Sequence, residues 1–286
     1  MDSHIHIQPP ATESHATIFA DLDAVLQQLH EWIDLTPVPD DETHHGIVSF
    51  GILVRATNQL RAIVTLLKAN FWEDALILTR SLFELLLNAE ELVHHCSDRE
   101  HGAARFLLFS QLQRYLQWAR LEEYQVASGR ACFDYAKELA KIEESARRVF
   151  APFAFFDKKG RPKWRVSWCS KNVAELCEAS PNPMRPHQYR LLYSSGSDFA
   201  HATPTAALST SQLYSSPEWE AFLRDAAAAE DRGLRLVASF ALVFLGEIFT
   251  LLGTRVPTYR PNWVADTLGA IIRRILRTTA ETPKAV

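Results

Sequence analysis

The sequence predicts an all-α protein, an antiparallel helical bundle with one long helix near its C-terminus. Only ten of its 286 residues are glycine, so few tight turns are expected. Apolar residues recur at the three- and four-residue spacing of a helix face in most segments, and no stretch shows convincing strand alternation. A hydrophobic content of 47% is sufficient for a substantial core.

The stretch over residues 71–96 is expected to form the central helix. It contains neither Gly nor Pro, and most of its residues favour helices. Its apolar side chains cover most of the helix circumference, which is typical of a buried helix. Four charged residues fall on one narrow stripe: Glu73, Arg80, Glu84 and Glu91. We expect this stripe to run through or beside the core.

The helices of the N-terminal half follow from the same periodicity. They are predicted over residues 16–35, 46–70, 99–126 and 132–150. Asn70 either ends the second of these helices or caps the central one, and such a short connection makes two helices antiparallel neighbours. Ser97 or Asp98 caps the helix that begins at Arg99.

The C-terminal half begins with residues 151–168, the clearest non-helical segment, in which a turn is expected over residues 157–162. Further helices are predicted over residues 173–179, 187–202, 216–253 and 263–277. The third of these opens at an N-cap, Ser216, which a proline follows. Gly233 marks a place where this long helix is expected to bend, and Asn262 caps the last helix.

Charge is distributed unevenly along the chain. The net charge of −4 argues against a protein that coats nucleic acid over its whole surface. Residues 1–50 contain nine acids and no Lys or Arg, so an acidic segment precedes a mildly basic body. We expect residues 1–15 to be a flexible, acidic and His-containing N-terminus. Residues 16–280 are expected to form a single helical domain.

Several classes of protein find no support in the sequence. The four cysteines have no CxxC spacing and no signal peptide is evident, so a cytoplasmic protein with reduced thiols is expected. The most apolar run, residues 236–246, is about 11 residues long, whereas a bilayer span needs about 20, so no membrane association is expected. No metal-binding motif, P-loop or GxGxxG is present, and we therefore expect neither a metal nor a cofactor.

Arg80 and Glu84 are four residues apart on the central helix and are expected to pair. Three interpretations remain open. The pair fixes the helix register as an internal salt bridge, because buried charges must be paired. Alternatively it belongs to a functional site, with Arg80 binding an anion or Glu84 acting as a base. The third interpretation is an ordinary solvated face.

Polar residues also share one face of the helix predicted over residues 187–202. They are Arg190, Ser194, Asp198 and His201, with Tyr189 and Tyr193 close by. An Asp three residues before a His can orient its imidazole, and a nearby Ser can be polarised. A serine-hydrolase triad usually converges from separate elements rather than from one helix. The face therefore predicts either a hydrogen-bonded polar surface or a site where His201 performs acid–base chemistry with an Arg.

A third candidate site is a loop that combines five cations with two tryptophans. Its residues are Lys158, Lys159, Arg161, Lys163, Trp164, Arg165 and Trp168. Cations suit phosphate contacts and indoles suit base stacking, so the pattern predicts nucleic-acid binding. The alternative is a solvated loop that its tryptophans anchor.

Two of these segments together resemble an uncharacterised bacterial helical family. Its pattern is an R-S-L-x-E helix followed by a helix with Tyr, Ser and His. The first element reads Arg80-Ser81-Leu82-Phe83-Glu84 here, and the second provides Tyr193, Ser194 and His201. The resemblance spans residues 45–255. It implies that Arg80, Glu84, Tyr193, Ser194 and His201 converge in one polar pocket between two helices.

The general shape of that family resembles the HEPN helical bundles, many of which are metal-independent ribonucleases of toxin and defence systems. By this resemblance, RNA is the substrate, His201 is the general acid or base, and Arg80 or Arg190 stabilises the phosphorane charge. Tyr193 and Ser194 orient the substrate. A homodimer is implied as well, because HEPN sites often form across a two-fold axis.

This chain departs from the HEPN nucleases in one respect. Their Arg and His are separated by four to six residues, whereas ten residues separate Arg190 from His201. A second hypothesis is therefore kept: a non-catalytic helical module that binds a protein partner and uses the polar cluster as structure.

Overall fold

The computed structural model describes residues 13–35, 43–130, 143–200, 219–253 and 267–277. Within these ranges the chain is helical apart from turns and one short hairpin, which confirms the all-α class. The helices are α1 (Glu13–Leu35), α2 (His44–Lys68), α3 (Trp72–Glu90), α4 (Arg99–Ala127), α5 (Val173–Ala179), α6 (Arg185–Ala200), α7 (Trp219–Leu252) and α8 (Gly269–Arg277). Residues 143–149 are also helical.

Helix α3 is the centre of the bundle, as predicted. It packs against α2, α5, α6 and α7, while α8 packs on α7 and α1 on α2. Phe83 of α3 is fully buried, and its ring lies 5.1 Å from that of Phe244 in α7. Burying one such aromatic side chain contributes about 1.5–3 kcal/mol, so α3 is held mainly by its apolar circumference.

Asn70 ends α2 rather than capping α3. Its φ of 61° is in the left-handed region, which Asn tolerates better than most residues and which stops a right-handed helix. The N-cap of α3 is Phe71, which makes no side-chain capping hydrogen bond. The reversal takes three residues, so α2 and α3 are antiparallel neighbours.

The end of α3 differs from the prediction of one helix over residues 71–96. Residues Glu91–His95 form a π-helical turn after Glu90, and the wider turn rotates the side chains that follow it around the axis. Glu91, the first residue of this turn, is buried, whereas Glu73 near the start of α3 is exposed. The four charges of the predicted stripe therefore lie in different surroundings: Glu91 is in the core, Arg80 and Glu84 are at its edge, and Glu73 is exposed.

Asp98, and not Ser97, caps α4. Its carboxylate accepts hydrogen bonds from the backbone N–H groups of Glu100 and His101 at 3.0 and 3.1 Å. Asn172 caps α5 in a reciprocal arrangement with Glu175. Both caps satisfy backbone donors that the first turn of a helix leaves without partners.

The expectation that the chain contains no strand is wrong for the segment between α4 and α5. Residues Ala154–Phe156 form β1 and residues Pro162–Trp164 form β2, an antiparallel pair in which Phe155 stands opposite Lys163. Strands of three residues are too short to show the period-two alternation that identifies a strand. The predicted turn joins them, with Gly160 at a φ of 73°.

A second, smaller core holds the hairpin to α4. Its buried residues are Leu112, Ala146, Phe150 and Phe153. The ring of Phe153 meets that of Phe109 edge to face at 5.2 Å, and Trp164 packs against Phe150 at 6.4 Å. These contacts fix the position of the hairpin relative to the bundle.

Gly233 lies inside α7, which runs as one helix from Trp219 to Leu252. A Cβ atom at Gly233 would be 2.5 Å from a ring atom of Trp72, so the glycine permits a close approach of α7 to α3. The predictions for residues 1–12, 131–142, 201–218 and 254–266, including the caps Ser216 and Asn262, lie outside the described residues.

Two described helices, His44–Lys68 and Glu230–Leu252, are long and apolar enough to cross a bilayer by length and composition. Their most apolar windows are 56% and 61% buried inside the bundle, as the core helices of a packed domain also are. Length and composition alone therefore do not place either helix in a membrane.

Candidate functional site

Arg80 and Glu84 of α3 meet Tyr193 of α6. The Nε of Arg80 donates to Oε1 of Glu84 at 3.4 Å, and the Tyr193 hydroxyl donates to the same oxygen. The guanidinium carbon of Arg80 lies 3.6 Å from the centroid of the Tyr193 ring, which is a cation–π arrangement. We call these three residues the Arg80 cluster. Three of the five residues that the family resemblance placed in one pocket therefore do converge.

The Arg80 cluster lies at the edge of the core. The side chains of Arg80 and Glu84 are 26% and 40% exposed, so the pair is neither internal nor fully solvated. Burial, and then the hydrogen bond to Glu84, raise the pKa of the Tyr193 phenol well above its usual range. Tyr193 therefore remains protonated at neutral pH and acts as a donor. Tyr189 supports it, with the two rings 4.4 Å apart.

A cleft of about 260 Å³ opens beside Glu84. One wall comes from α3 and the other from the segment that leads from the hairpin into α5. Its lining residues are Glu84, Leu87, Asn88, Phe109, Val166, Ser167, Trp168, Lys171, Asn172, Val173 and Leu176. Asn88 joins the two walls, because its amide oxygen accepts from the Trp168 indole at 2.6 Å.

Lys171 contributes a cation to the cleft. Its ammonium group donates to both carboxylate oxygens of the buried Glu91, at 2.9 and 2.8 Å. The pair links the π-helical turn after α3 to the segment before α5, across 80 positions of sequence. Glu91 is one of the four charges of the predicted stripe, and Lys171 supplies the opposite charge that a buried carboxylate requires.

The five cations of the predicted nucleic-acid-binding loop are all exposed. They are Lys158, Lys159, Arg161, Lys163 and Arg165. The two tryptophans are placed differently. Trp168 is only 4% exposed and packs on Phe106 at 5.5 Å, and Trp164 is half-buried in the second core. Both indoles anchor the segment, so Trp168 in particular does not offer its face to a base.

The predicted row of polar residues on α6 is described in part. Arg190 is exposed near the middle of the helix. Ser194 and Asp198 lie on the last two turns of α6, but their side chains are not among those the structure describes, and His201 is outside the described residues. Tyr193 is therefore the described residue of this part of α6 that contacts Arg80 and Glu84.

A second charged cluster lies deeper, around Arg185. This residue is 1% exposed, and its Nε and Nη2 donate to Oε1 of Glu90 at 3.0 and 2.6 Å. Nη2 also donates to Glu247 of α7, and Nη1 donates to Gln188 at 2.7 Å. The Ser180 hydroxyl donates to the other oxygen of Glu90 at 2.8 Å. We call these residues the Arg185 cluster.

Burial and ion pairing have opposing effects on the pKa values of Arg185 and Glu247. Burial alone would lower the pKa of Arg185, but the hydrogen bond to Glu90 and the charge of Glu247 raise it. Burial, together with the nearby charge of Glu90, raises the pKa of Glu247 although Arg185 lowers it. The guanidinium is therefore firmly charged, and its partners are held at an energetic cost, as is usual for a buried ion pair.

The Arg185 cluster was not predicted from the sequence. Arg185 follows a Pro-rich stretch, Ser180 to Pro183, before the predicted helix over residues 187–202, and Glu90 falls outside the predicted stripe. One signal was available: Glu247 interrupts an apolar run, and a charge in such a run requires a partner.

Among the residues that the structure describes, no three or more His, Cys, Asp or Glu side chains come together in a way that would hold a metal ion. The carboxylates of the two charged clusters pair instead with Arg80 and Arg185, and Glu91 pairs with Lys171.

Comparison with known proteins gives one assignment. Neither a search of the curated proteins nor a search of the solved structures finds a match to this chain. A family model does match, over residues 46–212, more than half of the chain. The matched region runs from α2 through α6 and includes the Arg80 cluster, the cleft and the hairpin. The chain therefore belongs to the family of unknown function DUF5677.

Proposed function

We propose that this protein is a HEPN-like, metal-independent endoribonuclease of the kind used as a toxin or defence effector. One observation supports this most. The Arg80 cluster borders an open cleft, and the opposite rim of that cleft, Val166 to Trp168, continues directly from the basic hairpin. A polyanion lying on the hairpin would therefore be led toward Glu84.

Arg80 is suited to bind a phosphate. Its contact with Glu84 uses one of the five guanidinium N–H donors, and at 3.4 Å it is a long one. Arg side chains match phosphate oxygens with two parallel hydrogen bonds. Arg190, exposed on α6, is the second candidate for stabilising the phosphorane.

Cleavage without a metal requires the 2′-hydroxyl of RNA to attack the adjacent phosphorus. The P–O5′ bond breaks, and the products are a 2′,3′-cyclic phosphate and a 5′-hydroxyl. One group must take the proton of the 2′-hydroxyl and another must supply a proton to O5′. We assign these two roles to His201 and Glu84. Tyr193, which stays protonated, orients the substrate as a donor, together with Ser194 and Asp198.

The test is cleavage of RNA in EDTA by the full-length protein and by His201→Ala. We expect the substitution to reduce the rate by about 100-fold or more. The control is His101→Ala, which changes an exposed residue on α4 and should retain full activity. Circular dichroism verifies the fold of each variant. Absent cleavage, or equal cleavage by wild type and His201→Ala, would refute the proposal.

A second candidate function is a non-catalytic module that binds a protein partner. It is favoured by the mutual pairing inside the Arg80 cluster, since Glu84 already accepts a hydrogen bond from both Arg80 and Tyr193. Both candidates include a cytoplasmic homodimer with no membrane partner, which light scattering and cell fractionation would test. Capture of one stoichiometric partner, with no RNA cleavage, would favour the module.

A further inference from the structure

Two phenylalanines are exposed on the hairpin where the sequence suggested tryptophans. Phe155 is 41% exposed and Phe156 is 73% exposed. Phe155 stands directly opposite Lys163 in the register of the two strands. Residues directly opposite each other in an antiparallel pair project from the same face, so the side chains of Phe155 and Lys163 leave the hairpin on one face.

The hairpin that carries Phe155 is held firmly. Asp157 accepts hydrogen bonds from the backbone N–H groups of Lys159 and Arg161, both at 2.9 Å, and from Nε of Arg161 at 2.8 Å. The hydrogen bond from the Arg161 backbone is the main reason that the pKa of Asp157 lies below its usual value. At the base, Phe153 is fully buried. A ligand would therefore meet a preorganised surface, which reduces the ordering cost of binding.

The charge of this surface is strongly positive. Asp157 compensates Arg161, but four further cations remain exposed: Lys158, Lys159, Lys163 and Arg165. In the part of the chain that the structure describes, none of these four lies within 4 Å of a carboxylate. The chain as a whole carries −4, so the hairpin concentrates positive charge on an acidic protein. Such a patch attracts a polyanion.

An exposed aromatic ring among these cations restricts the kind of polyanion that would bind to the hairpin. Stacking on an aromatic side chain requires a base whose face is free, and duplex nucleic acid keeps its bases stacked inside the helix. A lipid surface would satisfy the cations, but it would not use the route from the hairpin along residues 166–168 into the cleft. A single strand satisfies both the ring and the route.

We propose that the β1–β2 hairpin binds single-stranded RNA, with Phe155 stacking on a base and Lys163 and its neighbouring cations contacting phosphates. Phe156 follows Phe155 in the strand, so its ring leaves the opposite face of the hairpin and takes no part in this contact. The inference names the substrate class of the proposed nuclease and rests on that function for its biological meaning. Its test does not depend on cleavage, because binding is measured separately.

The test uses a fluorescent oligouridine of about 12 nucleotides with 2′-O-methyl groups, which cannot be cleaved by attack of a 2′-hydroxyl. Fluorescence anisotropy compares the full-length protein with Phe155→Leu, which keeps an apolar side chain and removes the ring. We expect binding to weaken about 5- to 100-fold. Phe71→Leu is the matched control, because Phe71 is also half-exposed but lies at the start of α3, and its binding should equal wild type.

A second variant tests the charge. Lys163→Ala should reduce the slope of log affinity against log salt concentration by about 0.7, the value for one phosphate contact with a single strand. Both substitutions change exposed side chains, so folding is not expected to suffer. Circular dichroism checks this.

Three results would overturn the inference. They are equal affinity for a duplex of the same chemistry, unchanged binding by Phe155→Leu, and preferential binding to vesicles that contain phosphatidylserine. Failure of the proposed function looks different. If the oligonucleotide binds through Phe155 but no RNA is cleaved in EDTA, the hairpin inference stands and the nuclease assignment falls. If RNA is cleaved in EDTA but Phe155→Leu binds normally, the nuclease assignment stands and the hairpin inference falls.

Discussion

Arg185 and Glu90 form a buried ion pair across 95 positions of sequence, with two hydrogen bonds from one guanidinium to one carboxylate oxygen. The pair joins the start of α6 to the end of α3, and Glu247 brings α7 to the same guanidinium. Three helices therefore share one charged contact in the core, and the contact fixes their relative register.

Removal of this contact is expected to be costly. Arg185→Ala would leave Glu90, which is only 4% exposed, without its charge partner in the core. Breaking a buried pair in this way destabilises a protein by about 3–5 kcal/mol. Urea unfolding at pH 7, followed by circular dichroism, measures the change.

Arg148→Ala is the control for that substitution. Arg148 is 75% exposed and lies 3.9 Å from Glu144, so its ion pair is weak and screened. We expect no measurable change in stability. Similar unfolding midpoints for the two alanine variants would contradict a structural role for the Arg185 cluster.

Gly233→Ala should destabilise the protein although alanine is the better helix former. The new Cβ would lie 2.5 Å from the indole ring of Trp72, and the resulting overpacking costs about 1–3 kcal/mol. Gly51→Ala provides the matched comparison, because a Cβ at that position of α2 would meet nothing within 4 Å beyond the backbone of its own helix. There we expect a gain of about 0.5–1 kcal/mol. Thermal unfolding of the two variants should shift in opposite directions, and a shift in the same direction would contradict the close contact.

Tyr193→Phe tests the pairing between α3 and α6. It removes the hydrogen bond to Glu84 and should cost about 1 kcal/mol at pH 7. Because burial and Glu84 raise the pKa of Tyr193 in the folded state, the stability it contributes is present below pH 10 and is lost as pH rises through the folded-state pKa. The difference between wild type and Tyr193→Phe should therefore shrink at about pH 11. Unfolding in urea at both pH values measures it, and a difference that grows with pH would contradict the assignment.

Asp231→Asn tests the contact between α1 and α7. Burial alone would raise the pKa of Asp231, but hydrogen bonds from Arg235 at 2.8 Å and His15 at 2.7 Å lower it overall. A lowered folded-state pKa contributes stability that is present above the unfolded value of 3.8 and is lost as pH falls through the folded value.

We therefore expect Asp231→Asn to cost about 0.5–1 kcal/mol at pH 7, after screening by solvent, and to cost little well below pH 3.8. Asp23→Asn, which changes an exposed pair with Lys68, is the control and should have little effect at either pH. Urea unfolding at neutral and acid pH measures both. An equal loss at both pH values would show that the Asp231 charge is not the cause.

Local signals were sufficient to predict most helices. The bounds of α5 were predicted as residues 173–179 and are Val173–Ala179, because Asn172 caps the helix and a Pro-containing loop follows it. The helices predicted over residues 46–70 and 99–126 differ from α2 and α4 by no more than two residues at either end. Spacing of apolar residues, caps and breakers act over a few residues, so they can be read directly along the chain.

Local sequence signals were not sufficient to predict the hairpin. Its turn was predicted, but its strands were not, since they are held by a register and by burial of Phe153 rather than by a local pattern. For the same reason the sequence left open whether the tryptophans of this segment bind nucleic acid or anchor the loop. In the structure both tryptophans pack against the protein, and Phe155 is exposed instead of Trp168.

The sequence by itself determined the helical class, the central helix, the Arg80–Glu84 pair and the family pattern that joins them to Tyr193. Only the tertiary structure decided which charges meet. Glu84 accepts from Tyr193 over 109 positions, and Glu90 pairs with Arg185 over 95. Such contacts depend on how the helices rotate and pack to bury their apolar faces, and the π-helical turn after Glu90 changes that rotation at the point where the buried charges lie.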